Sequence, residues 1–285
     1  MEYREYIMKL SGQSQNHRTN DALDVIRSFA QVGIQYWKAI EPSEDIAQQI
    51  VESGMKLIVR VDFEQPGDDP SWKDRFLDTV KNRPWFKYAW AVETANEPYS
   101  GEPDVPEWFS QAEAEIANEL WYDHGTIAIV GNRATGHDGY YVPVNENVPL
   151  YIGIHEYGYP RILDQQPWNA LRHQSWFPSI LEQRPDAKLL FTEVGISKIL
   201  VGGEDLGFKE TGLGDEDFFY NSLIPFNQII ESEDYVEVAF IYGIGMLHDD
   251  ESDKPWSTHD CLDTTVPQRI IDFLAQAPQM EQETQ

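Results

Sequence analysis

The sequence predicts an α/β protein built as a single (β/α)8 or TIM barrel, and three observations favour this fold. The chain has 285 residues, a length at which such a barrel commonly forms one domain. Short apolar runs alternate with helical patterns, and the alternation repeats about every 30 residues. Each apolar run is nearly continuous, which is typical of parallel strands that are buried on both faces.

Eight candidate strands follow one another along the chain. They are rich in β-branched, aromatic and aliphatic residues, and turn-forming or polar residues separate them from the next helical pattern. The predicted strands lie within 6–12, 33–40, 55–62, 86–98, 126–132, 150–160, 187–197 and 236–246.

Helical periodicity fills most of the connections between these strands. One helix begins after Ser43, which is a suitable N-cap, and Glu44 and Asp45 place negative charge in its first turn, where the helix dipole favours it. The connection after the fifth strand is short and irregular. The other predicted helices cover 21–32, 70–81, 105–122, 167–183, 215–231 and 265–275.

The chain contains no linker and no low-complexity segment. We therefore expect residues 1–278 to form one barrel domain and residues 279–285 to be a frayed polar tail. An open, doubly wound sheet is the competing arrangement. That fold more often carries a glycine-rich phosphate-binding turn after its first strand, and "KLSGQSQ" does not match such a turn.

The charge balance limits the partners. There are 49 Asp and Glu residues against 21 Lys and Arg, a net charge of −28. This charge repels nucleic-acid phosphates and anionic membranes, so we expect neither as a partner. No apolar run is long enough for a membrane span, and the first residues do not resemble a signal peptide. The sequence as given predicts a cytoplasmic protein, or a secreted one if a leader has been removed, and it leaves the oligomeric state open.

The residues that bind metals and form disulfides give little signal. Cys261 is the single cysteine, which excludes an internal disulfide and a cysteine-based zinc cluster. No partner near it suggests a nucleophile. The acidic loop at 249–253 lacks the alternating ligands of an EF-hand. We expect no metal ion and no cofactor.

Glutamates end two of the predicted strands. "AWAVETANEPYS" (89–100) closes strand four with Asn96, Glu97 and Pro98, and "LLFTEVGIS" (189–197) closes strand seven with Glu193. Barrel active sites lie at the carboxyl ends of the strands, and three strand–helix units separate these two glutamates, so both should face one mouth. Such a pair suits glycosidic bond cleavage. One carboxyl arrives protonated to assist the departing oxygen, and the other attacks the anomeric carbon.

"ANEP" after strand four and "TEVG" after strand seven resemble the two signatures of clan A of the retaining glycoside hydrolases. These are (β/α)8-barrel enzymes of the cellulase, mannanase and β-galactosidase type. The resemblance implies that Glu97 is the general acid/base, that Glu193 is the nucleophile and that Asn96 holds the sugar 2-hydroxyl. The implied function is hydrolysis of β-linked oligo- or polysaccharide with retention of configuration.

Four further residues are candidates for the carbohydrate site. Arg60 is a cation inside an apolar run, and beside Glu193 its guanidinium would keep that carboxylate ionised. His155 and Tyr157 share one face of strand six, and members of the clan often carry such a pair. Glu156 lies on the opposite face and is expected to point outward. Trp37 on strand two is a further candidate for supporting the sugar, although a core position is the alternative.

Strand eight departs from the pattern of the clan. A tryptophan commonly ends that strand there and forms the floor of the subsite, whereas this chain has "FIYGIGM". Tyr242 or the loop residue Trp256 would have to replace it. Other rings that could stack on sugars follow strands four and six: Tyr99, Tyr159 and Trp168.

Three hypotheses follow. The first is a retaining β-glycosidase. The second is a barrel that binds carbohydrate with weak or no catalysis, which the altered strand eight keeps open. The third is a metal-dependent barrel hydrolase. The positions of the histidines disfavour it, because they form no His-x-His pair at the first strand.

Overall fold

The computed structural model describes residues 8–15, 18–100, 102, 104–165, 170–198, 207–245 and 258–282. Its centre is a closed barrel of eight parallel strands that pair in chain order, with β8 returning to β1. This confirms the predicted (β/α)8 fold. The strands are β1 (Leu10–Gln15), β2 (Tyr36–Ile40), β3 (Lys56–Arg60), β4 (Ala89–Glu93), β5 (Ile127–Arg133), β6 (Tyr151–Gly158), β7 (Lys188–Ile196) and β8 (Val236–Ile241).

Helices surround the barrel. α3 shows the predicted start, because the Ser43 side chain accepts a hydrogen bond from the backbone N–H of Ile46 at 3.3 Å. β5 and β6 are joined by residues 134–150 without a helix, as the sequence indicates. The helices are α1 (Arg18–Asp21), α2 (Leu23–Gln31), α3 (Glu44–Glu52), α4 (Trp72–Lys81), α5 (Glu107–His124), α6 (His173–Gln183), α7 (Asp215–Phe218), α8 (Ile224–Glu231) and α9 (Val266–Gln282).

Short helical turns complete the connections. A π-helical segment, Phe219–Leu223, joins α7 to α8, and 3-10 turns cover Phe86–Tyr88, Ile162–Gln165 and Phe208–Thr211. α9 continues past Pro278 into the segment predicted as a tail. No helix in the described ranges is long and apolar enough to cross a membrane.

Alternation along the strands separates the inside of the barrel from the outside. Outward side chains such as Leu57 and Val59 pack into the core beneath the helices. Inward side chains form a separate apolar layer that includes Tyr36, Ile58 and Ala91. The next inward positions, two residues further along β2, β3 and β4, are Lys38, Arg60 and Glu93. The barrel therefore changes from apolar to charged toward the carboxyl ends of its strands.

The first strand lies later than predicted. We expect residues 6–12 from their apolar character, but β1 covers Leu10–Gln15, with the sequence LSGQSQ. The two serines of this strand are accommodated by specific bonds. The Ser11 hydroxyl donates to the carbonyl of Tyr36, and the Ser14 hydroxyl bonds to Thr19 at 2.9 Å. Gln13 is also buried on this strand, and its side-chain amide has no hydrogen-bond partner among the described residues. Hydropathy misses this strand because its buried side chains are largely polar.

Candidate active site

Glu97 follows β4 at the mouth of the barrel. Its backbone adopts a φ of +49°, a left-handed conformation that is uncommon for a glutamate. Two contacts fix this turn to its neighbours: the N–H of Glu97 donates to the carbonyl of Asn132 on β5 at 3.1 Å, and Gln65 donates to the carbonyl of Asn96 at 2.8 Å. The Glu97 side chain keeps 34% of its surface exposed. The chain thus presents this carboxyl toward solvent on a constrained turn.

Glu193 lies inside the mouth, at the end of β7. A β-bulge makes this possible: Ile154 pairs with Phe191, but the next residue, His155, pairs with Glu193. Phe191 points outward and packs against His173, so plain alternation would turn Glu193 outward as well. The extra residue, Thr192, shifts the alternation and turns Glu193 into the barrel.

Both oxygens of Glu193 have partners from other strands. Oε1 lies 2.8 Å from the Arg60 guanidinium on β3, and Oε2 accepts a hydrogen bond from the Tyr157 hydroxyl on β6 at 2.8 Å. Lys38 on β2 adds a third positive or donor group, with Nζ 3.8 Å from Oε1. Only 7% of the Glu193 side chain is exposed. This carboxylate is therefore buried and oriented from three strands.

The two glutamates meet at His155. Its Nδ1 lies 2.6 Å from Oε1 of Glu97 and 3.3 Å from Oε2 of Glu193. Those two oxygens can therefore be no more than about 6 Å apart, since both lie within hydrogen-bond or ion-pair reach of one atom. His155 is itself buried on β6. This geometry places the two carboxyls at one mouth of the barrel, as the strand-end positions predict.

The surroundings of Glu193 favour its ionised form. Burial alone would raise its pKa, but the charges of His155, Lys38 and Arg60 and the hydrogen bond from Tyr157 oppose burial and bring the pKa to about 2. Burial also raises the pKa of the Tyr157 hydroxyl well above its ordinary value, and the neighbouring Glu193 charge adds to this. Tyr157 therefore stays protonated and acts as a donor.

Two charged residues of the site escape the sequence analysis. Lys38 is fully buried on β2, and its Nζ lies 2.7 Å from Oε1 of Glu93, which is fully buried on β4. A lysine inside the apolar run "YWKAI" is the same kind of signal that identifies Arg60. Glu93 lies in the stretch "AWAVETANEPYS", two residues after the inward Ala91. Its inward orientation could therefore also have been predicted from the alternation of side chains along the strand.

The structure separates Trp37 from this cluster. Trp37 points outward from β2, is fully buried and packs edge-on against Phe29, with its ring centroid 6.0 Å away. Its indole N–H donates to Ser14 at 2.9 Å. Because no surface of the ring is left for a ligand, we leave Trp37 out of the proposed site.

The other predicted residues have mixed outcomes. Tyr242 follows β8 and packs edge-on against Tyr157 with 5.8 Å between ring centroids, so it borders the site. Glu156 points outward as predicted, and its Oε1 lies 2.9 Å from Nδ1 of His173. Trp256, Trp168 and the acidic loop at 249–253 lie outside the described residues.

A cleft of about 300 Å³ opens beside Glu97. The loop after β3 and the loop after β4 form it together, and the Tyr99 hydroxyl joins them by donating to the carbonyl of Gly67 at 2.5 Å. Asn96 contributes a buried Oδ1 that has no hydrogen-bond partner among the described residues. The lining residues are Gln65, Pro66, Gly67, Asn96, Glu97, Tyr99 and Ser100.

A buried acid behind the mouth ties α5 to the ends of β4 and β5. Glu113 accepts hydrogen bonds from the Thr94 hydroxyl at 2.5 Å, from the N–H of Gly131 at 3.1 Å and from the Tyr140 hydroxyl at 2.5 Å. Burial raises the pKa of Glu113 to about 7, although these hydrogen bonds lower it. Thr94 lies three residues before Glu97, so this contact anchors the turn that carries Glu97.

Within the described residues, no group of three or more His, Cys, Asp or Glu side chains is arranged to hold a metal ion. Cys261 is buried, and burial raises the pKa of its thiol, which disfavours the reactive thiolate.

Comparisons with known proteins add information on the fold. No protein-family model and no curated protein matches the sequence. Among solved structures, a Lactobacillus rhamnosus β-glucuronidase matches 83% of this chain with a TM-score of 0.54 and 14% identity. This chain spans only 43% of the length of that protein.

Two further structures are weaker matches. A structure from Cytophaga hutchinsonii matches 96% of this chain and 92% of its own, with a TM-score of 0.44 and 14% identity. The virulence factor SghA, solved with its substrate analogue salicin, matches 80% of this chain and 76% of its own, with a TM-score of 0.42 and 10% identity. Such TM-scores support no conclusion, and at 14% identity the likeness to the β-glucuronidase shows the shared barrel fold alone.

Proposed function

We propose that this protein is a retaining O-glycoside hydrolase that cleaves β-linked oligo- or polysaccharide by double displacement. The observation that carries the proposal is the pair of carboxyls that meet at His155 from different environments. Glu193 is buried and held ionised, whereas Glu97 is one-third exposed on a strained turn beside a cleft. Two carboxyls with opposite tasks need this kind of difference.

In the first step Glu193 attacks the anomeric carbon and forms an ester with the sugar. The bond between the anomeric carbon and the leaving oxygen breaks, and Glu97 gives that oxygen its proton. In the second step Glu97 takes a proton from water, the water oxygen bonds to the anomeric carbon, and Glu193 leaves as a carboxylate. Arg60 and Tyr157 bind the two oxygens of Glu193, so they stabilise the carboxylate before attack and as it departs.

The spacing of the carboxyls supports retention of configuration. Retaining enzymes place them about 5–5.5 Å apart, and inverting enzymes leave about 6.5–9.5 Å for an attacking water. The upper limit of about 6 Å between the oxygens that share His155 fits the shorter range.

The cleft beside Glu97 suits the leaving group. Glu97 lines this cleft and Glu193 does not, so a sugar attached to the scissile oxygen can occupy it. Its lining carries no positive charge, which favours a neutral group. The buried Oδ1 of Asn96 is available to accept a bond from a sugar hydroxyl.

The test is a panel of nitrophenyl β-glycosides and β-linked polysaccharides assayed with the wild type, Glu193→Ala and Glu97→Ala. We expect Glu193→Ala to lose turnover and azide to restore it, because azide can attack in place of the missing carboxylate. Glu97→Ala should retain activity only on dinitrophenyl glycosides, whose leaving groups need no acid. Glu182→Ala, an exposed change on α6, is the control and should behave as wild type.

Unchanged turnover in Glu193→Ala would contradict the proposal. Sugar binding by the wild type with no turnover across the panel would favour the alternative, a barrel that only binds carbohydrate.

A further inference from the structure

The charged layer beneath Glu193 contains a buried pair that the mechanism above does not use. Lys38 and Glu93 are both fully buried, with Nζ of Lys38 2.7 Å from Oε1 of Glu93. Nζ also donates to the carbonyl of Thr192 at 2.8 Å and lies 3.8 Å from Oε1 of Glu193. The lysine thus reaches from β2 across the barrel to β4 and to the bulge of β7.

Stability alone does not account for this pair. Removing two charges from water is expensive, and apolar residues of similar volume often stabilise a core as well or better. The layer immediately below is apolar at the same inward positions, with Tyr36 before Lys38 and Ala91 before Glu93. On the carboxyl side of this layer, the charges begin where Glu193 enters the barrel, which relates them to that carboxylate.

We propose that Lys38 and Glu93 form a positioning pair for Glu193, in which Lys38 favours the charged carboxylate and Glu93 holds the ammonium back from direct contact with it. This inference rests on the proposed nucleophilic role of Glu193. Lys38 acts in two ways. Its charge lies 3.8 Å from Oε1, and its bond to the carbonyl of Thr192 fixes the bulge that turns Glu193 inward.

Glu93 has its own task. If the charge of Glu93 were absent, the nearest carboxylate for Lys38 would be Glu193. A direct ion pair with Lys38 would make the Glu193 carboxylate a weaker nucleophile toward the sugar. Glu93 also matters after attack. Once Glu193 becomes an ester it carries no charge, and Lys38 would be an uncompensated buried cation without Glu93 beside it. The charge of Glu93 also favours the charged form of Arg60, although 18% of the Arg60 side chain is exposed.

The electrostatics of the pair agree with this assignment. Burial lowers the pKa of Lys38, and the charges of Glu93 and Glu193 oppose that effect. Lys38 is in turn among the charges that lower the pKa of Glu193.

The experiment compares Lys38→Met, Glu93→Gln and the double variant Lys38→Met/Glu93→Gln. Each single change strands one buried charge and can unfold the barrel, whereas the double variant removes both charges with similar volumes. Thermal unfolding identifies the variants that fold. Lys56→Met removes a partly buried lysine at the other end of the barrel, near Tyr36, and serves as the control.

The first readout is the titration of Glu193, followed by NMR in protein labelled with carbon-13 at the glutamate carboxyls and assigned with Glu193→Gln. We expect the pKa of Glu193 to rise by about 1 unit or more in the double variant, because a cation about 4 Å away is lost. Lys56→Met should leave it unchanged. A double variant in which Glu193 titrates as in the wild type would overturn the inference.

The second readout is turnover. We expect Glu93→Gln to have a kcat at least about 10-fold below that of the double variant, because only the single variant frees Lys38 to bind Glu193 directly. Equal or higher turnover in Glu93→Gln would overturn the holding role of Glu93. A wild type that hydrolyses no glycoside would refute the proposed function instead, and the titration would still decide whether Lys38 keeps Glu193 charged.

Discussion

At the scale of single residues, Glu193 is defined by what surrounds its two oxygens. Arg60 binds one oxygen and Tyr157 donates to the other, and the two partners come from different strands. In the proposed mechanism, a carboxylate held in this way needs little reorganisation before it attacks the sugar. Tyr157 is the partner whose contribution can be removed without changing any formal charge.

Tyr157→Phe should therefore weaken catalysis without unfolding the protein. We expect kcat/KM to fall about 10- to 100-fold, because a hydrogen bond to a charged group is lost. The acidic limb of the pH–rate profile should move to higher pH, since the Tyr157 hydroxyl helps to lower the pKa of Glu193 to about 2. Tyr220→Phe makes the same chemical change at an exposed position and is the control. An unshifted acidic limb in Tyr157→Phe would show that the hydroxyl does not tune Glu193.

At the scale of elements, a buried charge network joins β6 to the helices outside the barrel. His173 begins α6, and its two ring nitrogens lie 2.9 Å from Glu156 of β6 and 2.7 Å from Glu233, which follows α8. The N–H of Leu171 also donates to Glu156 at 2.6 Å. Glu156 and Tyr157 are neighbours in the chain, so this network fixes the strand that carries a site residue on its opposite face.

The same network predicts how stability depends on pH. Burial lowers the pKa of His173, but the hydrogen bonds and charges of Glu156 and Glu233 outweigh burial and raise it to about 9. The pKa is higher in the folded than in the unfolded state. The extra stability is therefore fully present below pH 6.5 and is lost as the pH rises through about 9, a change of the order of 3 kcal/mol.

Urea unfolding between pH 6 and 10 measures this change. We expect the wild type to lose stability over that range. His173→Gln should be less stable at pH 6 and lose much less stability above it, and the remaining loss should come from Glu113, whose pKa of about 7 also lies in the range. His124→Gln alters an exposed histidine at the end of α5 and should keep the wild-type dependence. If the free energy of unfolding of His173→Gln fell with pH as much as that of the wild type, the pH dependence would have to come from other groups.

At the scale of the whole molecule, the alternation of apolar runs and helical patterns was sufficient to predict the closed barrel, and strand-end position was sufficient to predict Glu97 and Glu193 as neighbours. The predictions were wrong or incomplete where tertiary contacts overrode the local hydropathy or alternation pattern. β1 is polar, and hydrogen bonds stabilise its two buried serines, Ser11 and Ser14. The inward turn of Glu193 depends on a bulge at Thr192, which only the pairing with β6 reveals. Lys38 was not predicted as a site residue, although a lysine within an apolar strand indicates a buried charge.

The charge of the whole chain also has a bearing on the site. The net charge is −28, yet the cations Lys38 and Arg60 gather around Glu193 inside the mouth. These two cations favour the ionised form of the Glu193 carboxyl within an otherwise acidic protein.

The most direct test of the central claim is to trap the sugar on the protein. An activated 2-deoxy-2-fluoro β-glycoside, of a sugar that the wild type hydrolyses, slows release of the covalent intermediate enough for mass spectrometry to detect it. We predict one glycosyl group per chain, located by peptide mapping on Glu193 and absent from Glu193→Gln. A label on any other residue, or turnover of the fluoro sugar with no label at all, would contradict the account.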